Sequence, residues 1–330
     1  IWSFGSLKMH HTIARMQKFN KEFTNAKACY KKMQQAYLTS KNKFAFFPMQ
    51  HVSLLDMSTA IAYEQTRSDP FSEKGVNALK TLNQLYLFGT WRYTLGIYCL
   101  DSEIIKDSKA IPNDTPTSIF LNLPEWCVYL DIDSTKIAIT QDDKIKQIKG
   151  FWAVYDLIEY NSKPQKAINF IIDTDSDDDI YLPLTLILDD DMTVEQSLSY
   201  ADNNIGDGGS NELIKILLPY LLWLCVAEPE IMHKGEPVSR ANLDKPKYQT
   251  NKKTGVFIPP SEPFIYEVGS RLGGEIRHYQ EQIEQGKHRQ TSKKRPHIRR
   301  GHWHGHWHGT GQAKEFKIKW QPAIFVNAGV

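Results

Sequence analysis

Helical and strand patterns that are segregated along the chain, rather than alternating, predict an α+β protein. Three observations carry this expectation. Apolar residues recur every three or four positions through the N-terminal part; short β-branched and aromatic segments crowd 117–188; and a segment near the C-terminus alternates with a period of two. With 330 residues and 41% apolar content, the chain has enough material for one large core or two domains.

Residues 1–8 precede Met9, the first plausible initiator, and are read as added or upstream sequence. A helical region is expected over 9–112. From His11 to Leu38, the residues Ile13, Met16, Phe19, Phe23, Ala26, Tyr30, Met33 and Tyr37 mark one face of a long amphipathic helix. Further helices are expected at 53–66 and 75–98, the second striped by Val76, Leu79, Leu82 and Leu85, with Trp91 and Tyr93 as core aromatics.

The texture changes at IPNDTPT. In region 113–190 the segments SIFLNLP, WCVYLDI, KIAIT, GFWAVYDLIEY, INFIID and YLPLTLIL are short and separated by turn formers, which predicts an antiparallel sheet. Helices return in region 191–286. Thr193 followed by Gln196 is a capping-box pattern opening a helix to about Ala201, and 211–227 reads as a buried helix started or kinked by Pro219. Ser261 and Pro263 are expected to open another, with Phe264, Val268, Leu272, Ile276, Tyr279 and Ile283 inward and Gly286 as its stop. A Pro- and Lys-rich loop, 235–260, separates these helices.

Region 287–330 holds a basic tether, KHRQTSKKRPHIRR, then GHWHGHWHGTG, then EFKIKW. In the last, Phe316, Ile318 and Trp320 alternate with Glu315, Lys317 and Lys319 until Pro322, the pattern of a half-buried strand, so a C-terminal β-hairpin is predicted.

Composition narrows the function classes. The longest apolar run, ILLPYLLWLCVA, is too short for the roughly 20 residues that cross a bilayer, and no signal peptide is evident. Cys29, Cys99, Cys127 and Cys225 are scattered without a CxxC spacing and read as buried thiols of a cytoplasmic protein. The net charge of +2 hides a polarity: residues 285–330 carry ten Lys or Arg against one acid, a local +9, and the remainder is −7.

Strict alternation on an extended strand puts His302, His304, His306 and His308 on one face and Trp303, Gly305 and Trp307 on the other. A His-x-His pair can chelate zinc, but third and fourth ligands are not supplied, so neither a metal nor another cofactor is assigned. Nucleic acid draws on more of the sequence. No acid occurs between Glu284 and Glu315, while Lys287, Arg289, Lys293, Lys294, Arg295, Arg299, Arg300 and Lys314 are interleaved with rings that can stack on bases. DTDSDDD, 173–179, begins like a calcium loop but has Asp178 where glycine is required and Leu184 where the final Glu belongs. A solvated turn, a dock for a basic peptide or a loose Mg²⁺ site remains. GDGGS, 206–210, lacks the Lys-Ser/Thr of a phosphate loop, and no GxSxG or convincing helix-turn-helix is present.

MHHTIARM, DTPTSIFLNLPEWCVYLDI, LLPYLLWLCVAEP and RPHIRRGHWHGHWHGTGQAKEFKIKWQPAIFVN together resemble the second described family of anti-CRISPR proteins directed against type V-A systems. The resemblance runs from Met9 to the C-terminus. It implies an inhibitor, carried by mobile genetic elements, that senses the beginning of the newly made type V-A effector and causes loss of the message being translated. Its last motif falls on Arg295, Pro296, His297, Arg299, Arg300, Gly301, His302, Trp303, His304, Trp307, Trp320, Pro322, Val326 and Asn327, leaving His306 and His308 outside the pattern.

The resulting reading is a cytoplasmic adaptor in a bacterial host cell. Its expected partners are the nascent N-terminal peptide of the effector, together with mRNA, the ribosome and a host ribonuclease; no membrane is expected. Arg295, His297, Arg299, Arg300, His302, Trp303, His304 and Trp307 are the RNA or ribosome contact candidates. Asp173, Asp175, Asp177, Asp178 and Asp179 are the peptide-binding candidates, and Trp126, Trp320, Pro322 and Asn327 are structural members of the motifs. The rival reading is a ribonuclease that uses His302 or His304 as acid or base beside Arg299 or Arg300.

Overall fold

A computed structural model describes residues 9–55, 72–108, 110–141, 144–160, 163–175, 184–205, 208–285, 297–299, 301–310, 315–321 and 324–326. Its centre is a mixed sheet of β1 (Gly96–Leu100), β2 (Cys127–Asp131), β3 (Ala138–Gln141), β4 (Lys144–Tyr160), β5 (Lys163–Thr174), β6 (Leu184–Leu188), β7 (Ile231–His233), β8 (Glu236–Pro237) and β11 (Phe264–Val268). The order is β6-β5-β4-β2-β1-β11-β7-β8, with β3 also paired to β4. Strands β2 to β6 form the antiparallel sheet expected from 117–188, but β1 joins both β2 and β11 in parallel.

That parallel centre corrects two expectations. Helix α3 (Glu73–Trp91) stops before 98, and Phe264–Val268 is a strand rather than the start of a helix. Residues 264, 268 and 272 are spaced by four, which suits a helical face but is also an even number that keeps a strand residue on one side. Gly269, at φ 71, makes the turn out of β11 in a conformation glycine tolerates, and a Cβ there would lie 2.6 Å from Ile104 of α4 (Ser102–Asp107); helix α8 (Ser270–Glu284) starts only beyond it.

The single helix expected over 11–38 is two, α1 (His11–Glu22) and α2 (Ala26–Thr39). Phe23 ends α1 in an extended conformation while its ring stacks on Phe19 at 5.6 Å, so the apolar stripe continues through a break in the backbone. The helix expected at 53–66 falls largely outside the described residues; a 3-10 helix, Met49–Leu54, occupies its start. By contrast, the capping box is realised reciprocally at the head of α5 (Val194–Ile205): the Thr193 amide donates to Gln196 Oε1 at 2.8 Å and the Gln196 amide to Thr193 Oγ1 at 3.3 Å. Helix α6 (Gly208–Cys225) carries Pro219 within it.

Alternation along the central strands gives the sheet two apolar faces. Cys127, Tyr129, Trp152 and Val154 meet α1 to α3, whereas Val128, Leu130, Phe151, Ala153 and Tyr155 meet α6. Trp91 and Tyr93 are buried core aromatics. Cys29, Cys127 and Cys225 are buried, and Cys99 is half-buried. Among the described residues, no helix is long and apolar enough to cross a membrane.

The Lys-rich loop is strapped to this sheet. Its α7 (Arg240–Leu243) precedes Lys247, which lies 3.6 Å from the buried Glu125, and Tyr248 stacks on Trp126 at 5.3 Å and 8°. Short strands β9 (Gln249–Thr250) and β10 (Phe257–Ile258) close the loop. Burial pushes the Glu125 carboxyl up to about 8 against the opposing pull of Lys247.

Candidate nucleic-acid interface on the C-terminal ribbon

The last described segments are β12 (His297–Arg299), β13 (His302–His308), β14 (Glu315–Gln321) and β15 (Ile324–Val326). One register serves both ladders: His297 to Arg299 face Val326 to Ile324, and His302 to His308 face Gln321 to Glu315. The four strands pair as two two-stranded antiparallel ladders, and β13 with β14 forms the C-terminal ribbon.

On its inward face, glycine alternates with tryptophan. Trp303 is only 4% exposed and meets Trp223 of α6 at 5.0 Å, edge to face, and its cross-strand neighbour Trp320 at 5.1 Å; Trp320 lies 5.0 Å from Trp223 and completes a triangle. The glycines make room for rings from β14. A Cβ on Gly301 would sit 2.4 Å from the Trp320 ring, and one on Gly305 would sit 2.4 Å from Phe316. Trp303 thus anchors the ribbon to the core and is not available to stack on a base, which corrects its grouping with the RNA contacts. Trp320 packs in this triangle, and Trp126 packs against Tyr248 of the strap.

Towards the tip the inward face loses its cover. Trp307 rests edge-on against Phe316 at 5.2 Å and remains 52% exposed.

The outward face carries His302, His304, His306 and His308, all exposed. Register sets Lys319 opposite His304 and Lys317 opposite His306. These lysines, exposed as well, were not singled out from sequence. Their alternation in EFKIKW was the signal, but only the pairing shows that they share a face with the histidines. Glu315 at the tip pairs with Lys317 at 3.6 Å. The His304 and His306 rings are nearly parallel, 24° apart at 5.8 Å. Among the described residues, no group of three or more His, Cys, Asp or Glu is arranged to hold a metal.

His297 and Arg299 lie on the backbone of β12, and Arg295, Arg300, Pro322 and Asn327 fall outside the described residues.

The acidic stretch divides in the same way. Asp173 is fully buried at the end of β5: it accepts from the Tyr129 hydroxyl at 2.7 Å, sits 2.7 Å from His11 Nε2 and 3.1 Å from Arg15 Nη1. It is thereby withdrawn from any solvent-facing peptide dock. Asp175 is exposed and exchanges hydrogen bonds with Gln147, its carboxylate accepting from that amide at 3.1 Å; Asp177, Asp178 and Asp179 lie outside the described residues. Burial, reinforced by Asp173, raises the Tyr129 phenol well above its ordinary value. Next to it, Asp131 is partly buried, which works to raise it, but the His10 hydrogen bond and the Asp133 amide hold it below the usual carboxylate range. The clamp formed by His10 and His11 was missed because its partners lie more than a hundred positions away.

The family described as AcrVA2-like, the anti-CRISPR type V subtype A2 family, matches residues 98–328. The crystal structure of AcrVA2 is 55% identical, with a TM-score of 0.85, over 97% of this chain and 100% of that one. No curated protein matches.

Proposed function

Because the chain belongs to the anti-CRISPR type V subtype A2 family, we propose that it blocks production of the type V-A CRISPR effector by recognising the effector's nascent N-terminal segment and triggering loss of the translated message. Membership makes it an anti-CRISPR protein of type V-A with an effector-related partner. The match over nearly the whole chain is the observation that carries the reading.

Two surface features support the finer mechanism. The ribbon offers an exposed basic face suited to RNA or the ribosome. Asp175, beside the stretch that runs on to Asp179, offers exposed acid to a basic peptide. The chain then acts as an adaptor that couples a peptide signal to an RNA outcome, in the cytoplasm of the host cell.

The test is a message reporter in cells that express the protein. Synonymous recoding of the first effector codons should leave message loss intact, and changing the encoded residues should abolish it. Loss that follows the nucleotide sequence instead would overturn the reading. Incubating the pure protein with that message, with and without chelator, separates an adaptor from the rival ribonuclease using His302 or His304: the adaptor leaves the RNA intact.

A further inference from the structure

We propose that the outward face of the ribbon is a sequence-independent dock for the phosphate backbone of single-stranded RNA, formed by His302, His304 and His306 of one strand and Lys317 and Lys319 of the other. The proposal rests on the reading above only in taking RNA as a partner, and it names the surface and the chemistry of contact.

Register carries the argument. Residues directly opposite in an antiparallel pair have Cβ atoms about 5 Å apart, and neighbours on one face recur about every 7 Å along the strand. His304 with Lys319 and His306 with Lys317 therefore make a compact patch of cationic or protonatable groups. Of the described residues on this face, only Glu315 is acidic, at the tip beside Lys317, and Gln321 closes the other end. A polyanion lying across Lys317 and Lys319 releases its counterions, which favours binding.

The residue types also select the kind of nucleic acid. Reading base edges in a duplex groove draws on planar Arg, Asn and Gln side chains beside Lys, and of the planar types this face has only Gln321 among its described residues. Imidazoles instead offer flat faces to unstacked bases, and those of His304 and His306 are aligned within 24°. Lysine supplies a point charge for phosphate without sequence preference. Trp303 takes no part, since it is packed against Trp223 and Trp320.

The experiment is fluorescence polarisation of a short, labelled, mixed-sequence single-stranded RNA with the full chain across a range of salt concentrations. Binding should weaken with salt, and K317Q/K319Q should flatten the log–log slope by about 1.4, or roughly 0.7 per lysine. H304A/H306A should weaken binding about tenfold by removing the imidazole faces that stack on bases. Near-ultraviolet circular dichroism of the tryptophan triangle, unchanged in each variant, certifies that the ribbon is still docked. Wild-type slope and affinity in the variants would overturn the proposal, as would tighter binding to duplex DNA than to the single strand. Failure of the broader reading looks different: the variants then lose RNA binding as expected, while the wild-type protein leaves effector message levels untouched.

Discussion

The C-terminal ribbon and the end of β5 present the same division by different means. Trp303 and His304 are adjacent in sequence, yet one is in the core and the other in solvent. Asp173 and Asp175, two residues apart, divide likewise. In the ribbon, burial is driven by apolar area and ring geometry, so Trp303 needs only a surface to lie on, which Trp223 and Trp320 supply. A carboxylate has no such drive. Asp173 can be buried only because His11, Arg15 and Tyr129 meet its charge. Apolar anchors therefore follow from patterning, whereas charged anchors depend on partners brought from elsewhere.

The comparison is broken most directly at Trp303. Trp303→Ala should cost about 3 to 5 kcal/mol in chemical denaturation by leaving a cavity beside Trp223, while His304→Ala should stay within about 0.5 kcal/mol. Equal effects would mean that the ribbon is not packed on α6.

Next comes the carboxylate pair. Asp173→Ala leaves Arg15 beside a vacated buried position and should destabilise by about 3 kcal/mol; Asp175→Ala, at the surface, should lose less than about 1 kcal/mol in the same assay. A mild Asp173 variant would return that residue to the exposed docking candidates.

Glu125 sharpens the contrast as a buried carboxyl that is less well compensated. Its folded value, pushed to about 8 by burial, lies above its ordinary 4.5. The folded state therefore holds the proton more tightly than the unfolded state. That contribution is fully present below about pH 4.5 and is lost as pH rises through about 8. Thermal unfolding of Glu125→Gln should show a flatter decline across this window than the parent, and identical profiles would remove Glu125 as its source.

Much of the architecture was legible locally. The α+β class, the capping box at Thr193 and Gln196, the strands of 117–188 and the two faces of HWHGHWH all follow from residues within a few positions of one another. The errors share one origin. Stripes at a spacing of four satisfied helix and strand equally at Phe264 and Val268, and the stripe through Phe23 concealed a break between two helices.

The sequence by itself determined which side chains share a face, since strand periodicity is set by the pleat. Only the tertiary structure decided which face turns inward, which lysines join the histidines, and which aspartate is withdrawn from water. Those outcomes depend on pairing between distant segments: His304 with Lys319 through register, Trp303 with Trp223 through packing, and Asp173 with His11 across 162 positions of chain. Local pattern fixes a residue's direction relative to its neighbours, and burial is conferred by whatever the fold later places against it.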